Sequence, residues 1–63
     1  MEVFAVQNSV GKTRFIVYAH THNKAIELAN KHSNGDEVFD RCWYIGTTTD
    51  YDGEGERVYK ELK

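Results

Sequence analysis

The stretch that most constrains the fold runs from Thr13 to His32, because the period of its apolar residues changes once, near Thr21. Thr13 to His20 alternates with period two. Phe15, Val17 and Ala19 fall on one face; Arg14, Ile16, Tyr18 and His20 fall on the other. β-Branched and aromatic residues dominate the run, which predicts a strand with Phe15, Val17 and Ala19 toward the core. Beyond Thr21 the spacing becomes helical. Ala25, Ile26, Leu28, Ala29, His32 and Ser33 share one arc, and Asn23, Lys24, Glu27, Asn30 and Lys31 the opposite one. Thr21 suits an N-cap, although Lys24 stands where Glu or Gln would complete a capping box. Lys31 and His32 suit the negative end of the helix dipole, and Asn34-Gly35 offers a left-handed stop. A strand that feeds a one-striped helix calls for a sheet on which that stripe can pack.

The flanking segments supply the sheet. Residues 2–7 alternate as a first strand, with Phe4 and Val6 on one face and Val3 and Ala5 on the other. Asn8 to Lys12 carries Asn, Ser and Gly between two apolar runs, which predicts a hairpin turn. After a helix over His22–Ser33, residues 34–40 form a connection with Val38 and Phe39 as an apolar plug under the helix. Arg41 to Thr48 reads as a third strand with Trp43 and Ile45 facing the helix. Asp50 to Glu56 is an acidic, glycine-containing loop that suits a hairpin. Arg57 to Leu62 is compatible with a helix through Val58/Leu62 and Glu56/Lys60, but Val58 and Tyr59 favour a fourth strand. The expected fold is a single α+β domain over residues 1–63. Its order is ββαββ, with one helix on one face of a three- or four-stranded, mainly antiparallel sheet. This element order resembles the β-grasp arrangement of small immunoglobulin-binding domains, a likeness of architecture that carries no function.

Several motifs reduce to ordinary structure. Gly11-Lys12-Thr13 matches the tail of a phosphate-binding loop, but the glycine required five positions earlier is Val6, and the turn leads into a strand. Asp50, Asp52, Glu54, Gly55 and Glu61 nearly fit a calcium loop. Arg57 replaces the usual apolar residue, however, and a strand rather than a helix precedes it, so a solvated acidic loop is expected. His20, His22, His32 and Cys42 are zinc-ligand types. His22 and His32 bracket the helix about 15 Å apart and cannot share an ion. Cys42 lies in a strand with no helix N-terminus to activate it, and 63 residues leave little room for a pocket. The expectation is a chain without catalytic residues, metal or cofactor.

A binding role is what remains. If Phe15, Val17, Trp43, Ile45 and Val58 face the helix, then Arg14, Ile16, Tyr18, Tyr44 and Tyr59 project from the open sheet face, joined by His20 and Cys42. Three tyrosines on one face offer area and polar tips at low entropic cost, although tyrosines also simply shield sheets through cross-strand pairs. The leading expectation is stoichiometric contact with a protein, as an inhibitor or adaptor, through this face or through Asp50, Asp52 and Glu54. A symmetric homodimer is a variant. The alternative is a single-stranded nucleic-acid binder, with bases on the aromatics and Lys12, Arg14, His20 and Arg41 at phosphates. The formal net charge of −2 weighs against it. Charge is uneven, however: residues 1–32 hold four Lys/Arg against two Glu, and residues 33–63 four against eight acids.

No apolar run approaches a membrane span, and one lone cysteine fits a reducing, cytoplasmic setting. In size, in its initiator Met and in its single bare domain, the chain resembles the small accessory proteins of large bacteriophages. Many of those bind and redirect a host enzyme, which implies a protein partner.

Overall fold

The computed structural model describes residues 1–33, 37–48 and 55–62. The strands are β1 (Glu2–Asn8), β2 (Arg14–Ala19), β3 (Phe39–Thr47) and β4 (Arg57–Leu62), with one helix, α1 (His22–His32), between β2 and β3. The order is therefore ββαββ, and residues 57–62 are a strand. All four strands form one sheet in the order β3-β1-β2-β4, and every adjacent pair is antiparallel. The expected α+β architecture is present.

Its connectivity departs from two hairpins flanking a helix. β1 and β2 form the central hairpin, whereas β3 and β4 lie at opposite edges and do not pair. β2 and β3 run parallel on either side of β1, so α1 is the crossover of a split β-α-β unit. β3 and β4 therefore do not form a hairpin with each other. The expected left-handed stop at Asn34-Gly35 and the acidic residues Asp50, Asp52 and Glu54 lie outside the described residues.

The core lies between α1 and one face of the sheet. Phe4 and Val6 of β1, Phe15, Val17 and Ala19 of β2, Ala25 and Ala29 of α1, and Phe39 form one buried cluster. Ile26, Leu28, Cys42 and Val58 pack at its margin. Two alanines at the helix contact let the helix approach the aromatic and β-branched sheet residues closely. Phe15 stacks on Phe39 with centroids 4.4 Å apart, and the expected core rows of β1 and β2 are as the alternation predicts. Val38, by contrast, is 62% exposed, so only Phe39 plugs the space under the helix. His32 is exposed as well, its ring edge-on to Phe15 at 5.0 Å.

Side-chain amides and hydroxyls close the loops. Thr21 caps α1, its hydroxyl accepting from the Lys24 amide at 3.1 Å. The helix ends at Ser33 in a right-handed conformation (φ −75°), whose amide reaches Ala29 O at 3.1 Å. Asn30 joins the helix to β3: its Nδ2 donates to Phe39 O at 2.8 Å and to Ile26 O at 3.0 Å, while its Oδ1 accepts from Phe39 N at 2.8 Å. Asn8, 1% exposed, organises the β1–β2 turn. Its Oδ1 accepts from the amides of Lys12 (2.8 Å) and Thr13 (3.2 Å), and its Nδ2 donates to Glu37. Those two amides are therefore engaged inside the turn. The Gly11-Lys12-Thr13 stretch is a side-chain-capped hairpin, consistent with the turn reading of the sequence.

Candidate functional site

α1 covers one face of the sheet, and no described element covers the other. The strand register lays that second face out as three rows across β3, β1, β2 and β4. The first row is Arg41, Gln7, Arg14 and Leu62. The second is Trp43, Ala5, Ile16 and Lys60, and the third is Gly46, Val3, Tyr18 and Arg57. Arg14, Ile16 and Tyr18 project from this face as β2 alternation requires.

β3 runs against expectation. Its register shifts twice, leaving Asp40 and Ile45 as extra residues beside the ladder. Phe39 is buried against the core; without a bulge, Arg41, Trp43 and Ile45 would follow it inward. The extra residue at Asp40 inverts that parity. Trp43 now lies opposite Ala5 on the open face, 44% exposed, and Cys42 lies opposite Val6 on the helix side. Tyr44, expected outward, pairs with Phe4 on the helix side and sets its ring edge-on to Phe4 at 6.0 Å. Ile45, expected under the helix, is a bulge residue, 53% exposed. Cys42, also expected outward, points its sulfur at the His22 carbonyl, 4.0 Å away. Partial burial raises its thiol pKa, which opposes the thiolate a nucleophile needs.

β4 carries a third shift, between Val58 and Lys60. Val58 faces the core opposite Val17, Lys60 lies on the open face opposite Ile16, and Tyr59 is the extra residue. Tyr59 turns to the open face, where its ring stacks on Tyr18 at 4.8 Å and 16°. The bulge thus puts Tyr59 and Lys60 on one side, where strict alternation would separate them.

The aromatic and cationic groups are interleaved. The Arg14 guanidinium lies over the Trp43 ring at 5.5 Å, and its Nη2 donates to Gln7 Oε1 at 3.3 Å. Arg57 lies over Tyr18 at 4.9 Å. Arg14 also separates two depressions. One is bounded by Ala5, Arg14, Trp43, Tyr44 and Ile45; the other by Gln7, Gly11, Lys12, Thr13, Arg14 and Leu62. The three rows contain Arg14, Arg41, Arg57 and Lys60 and no acidic residue. The bulge residue Asp40 sits beside Arg41 on the edge strand.

Of the sequence-predicted binding residues, Arg14, Ile16, Tyr18 and Tyr59 therefore come together. Tyr44 borders the first depression from the other side of its strand, and Asp50, Asp52 and Glu54 lie outside the described residues. Trp43, Arg57 and Lys60 complete the face and were not foreseen there. Arg57 shares the parity of Tyr59, which is a usable signal. Trp43 shares only that of Arg41, which is uninformative until the Asp40 bulge is known, and Lys60 reaches the face only through the bulge at Tyr59.

The other candidate clusters stay apart. Among the described residues no three of His, Cys, Asp and Glu gather as a metal site. The His22 ring is edge-on to Phe4 at 4.9 Å, at the opposite end of α1 from His32. Among the described residues no helix is long and apolar enough to cross a membrane. No protein-family model, curated protein or solved structure matches the chain.

Proposed function

We propose that this protein is a non-catalytic binding module that makes stoichiometric contact with a macromolecule through the open sheet face. The observation that carries this reading is the single array formed by Trp43, Tyr18, Tyr59, Arg14, Arg41, Arg57 and Lys60 on a face that no described element covers. Tyr, Trp and Arg are the residue types that dominate binding energetics when buried by a partner. The array has its own internal stacking, so the groups are partly ordered before contact, which lowers the entropic cost of binding. The depressions around Arg14 are shallow surfaces, suited to an extended ligand.

The sequence favours a protein partner, as in an inhibitor or adaptor, through the tyrosine-bearing face, and the negative net charge weighs against nucleic acid. The face itself is cationic, and this favours a partner with anionic groups. A homodimer through the same face would bring four cations against their own copies, which opposes that arrangement.

The test compares material retained from a bacterial lysate by the wild-type chain, by Trp43→Ala with Tyr59→Ala, and by a helix-surface control, Lys31→Ala. Each capture is run with and without nuclease. The face variant should lose the retained partner while the control keeps it. Equal retention by all three would refute the assignment of the face.

A further inference from the structure

We infer that the occupant of the open face is a single-stranded nucleic acid, with a base stacked at Trp43 and the adjoining phosphate held by Lys12 and Arg14. This rests on the proposal that the open face is the binding surface. The charge distribution is the first support. A chain of net charge −2 places Arg14, Arg41, Arg57 and Lys60 in the rows of one face with no acid among them. Segregation of this kind creates a local potential opposite in sign to the molecule as a whole.

The two depressions that share Arg14 are the second support. One has an aromatic wall, Trp43, above the small Ala5 side chain; the other has Lys12, Arg14 and the Gln7 amide. A nucleotide presents a flat base and an anionic phosphate side by side, and these neighbouring surfaces match that pair. An acidic peptide offers the charge without the flat ring. A duplex offers the charge with its base faces hidden.

Arg14 connects the two surfaces. In the unbound chain it lies over Trp43 at 5.5 Å. A base that takes its place on the indole frees the guanidinium to turn toward the phosphate, where a charge-assisted, bidentate contact replaces the cation–π contact. Tyr59, 54% exposed and backed by Tyr18, gives a second stacking position at the far edge, between Lys60 and Arg57. Stacking on such rings tolerates any base, so the expected recognition is weakly dependent on sequence.

Fluorescence anisotropy with labelled oligonucleotides of about 12 residues tests this, using single-stranded DNA, single-stranded RNA and the matching duplex. Single strands should bind more tightly than duplex and quench Trp43, the chain's one tryptophan. With three to four phosphates engaged, the slope of log K against log salt should be about −2 to −3, and Arg14→Ala or Lys60→Ala should each flatten it by about 0.7. Trp43→Ala should abolish the stacking contribution while leaving the salt slope in place. Far-UV circular dichroism confirms that each variant is folded.

Absence of binding near 50 mM salt, a slope unaffected by both cation variants, or equal binding to duplex would overturn the inference. Displacement by a mononucleotide at the same concentration as the oligonucleotide would overturn the polymer assignment. If oligonucleotides fail but the lysate experiment yields a protein retained after nuclease and lost with the Trp43 and Tyr59 substitutions, the ligand class is wrong and the face stands. If those substitutions change neither experiment, both readings fall.

Discussion

Asn30→Ala should be the most damaging single change among the polar residues. The Asn30 side chain imitates a strand: it donates to Phe39 O and accepts from Phe39 N, both at 2.8 Å, and also donates to Ile26 O. Phe39 is fully buried, so truncation leaves its amide and carbonyl without the side-chain partner and with little access to water. An unsatisfied buried group costs about 1–3 kcal/mol, so two give a loss of about 2–6 kcal/mol. A domain of this length has a total stability of roughly 3–9 kcal/mol, so half or more would be removed. Urea unfolding followed by far-UV circular dichroism should show a midpoint lowered by about 2 M or more, for a slope near 1 kcal/mol/M. Asn30→Asp supplies the complementary experiment. Its carboxylate would face two carbonyl oxygens, which raises its folded pKa above the unfolded value. Stability is then full below about pH 4 and lost as pH rises through the folded pKa. A loss under about 0.5 kcal/mol in Asn30→Ala, or an Asn30→Asp variant with the pH dependence of the wild type, would refute the bridging role.

Three further outcomes follow from other parts of the fold. Gly11 has φ +79°, so Gly11→Ala should cost about 1–2 kcal/mol in thermal or urea unfolding, mostly through the backbone, because the nearest atom to the new Cβ is the movable Gln7 Nε2 at 3.0 Å. A double-mutant cycle on Tyr18→Ala and Tyr59→Ala should give a coupling of about 0.5–1.5 kcal/mol from their stacked rings, and additive effects would show that the stack contributes nothing. Burial raises the Cys42 pKa, so its contribution is complete below the ordinary thiol range and is lost as pH rises through the folded value. The alkaline decline in stability should be smaller in Cys42→Ala, and native alkylation should reach half-rate at a higher pH than in unfolded chain.

The parts of the fold readable from sequence are those where one local rule decides. The period change at Thr21, the Asn-Ser-Gly turn and the alternation of Phe4/Val6 and Phe15/Val17/Ala19 each depend on neighbours within a few residues, and each stands in the structure. The misreadings share one cause. Cys42, Trp43, Tyr44 and Ile45 form an unbroken apolar run, so alternation alone does not choose a face. Taking Phe39 as buried then selects Trp43 and Ile45 as inward, and a single inserted residue at Asp40 reverses the choice. Lys60 was hidden by the same mechanism at Tyr59. The assignment of the acidic segment to a hairpin failed for a different reason: whether β4 joins β3 or β2 is decided by long-range edge pairing, which leaves no local pattern.

The sheet order has a consequence for how the chain acquires its structure. β1 and β2 close over a short turn whose amides are held by Asn8, so the central pair forms from contacts local in sequence. β3 and β4 then attach to opposite sides of that pair without touching each other. Loss of the final strand would remove a lateral addition and leave the hairpin, the crossover helix and β3 as a continuous unit. Amide hydrogen exchange should therefore proceed outward in steps, with β4 opening at lower free energy than β1. The cations that β4 contributes would appear and disappear with that edge.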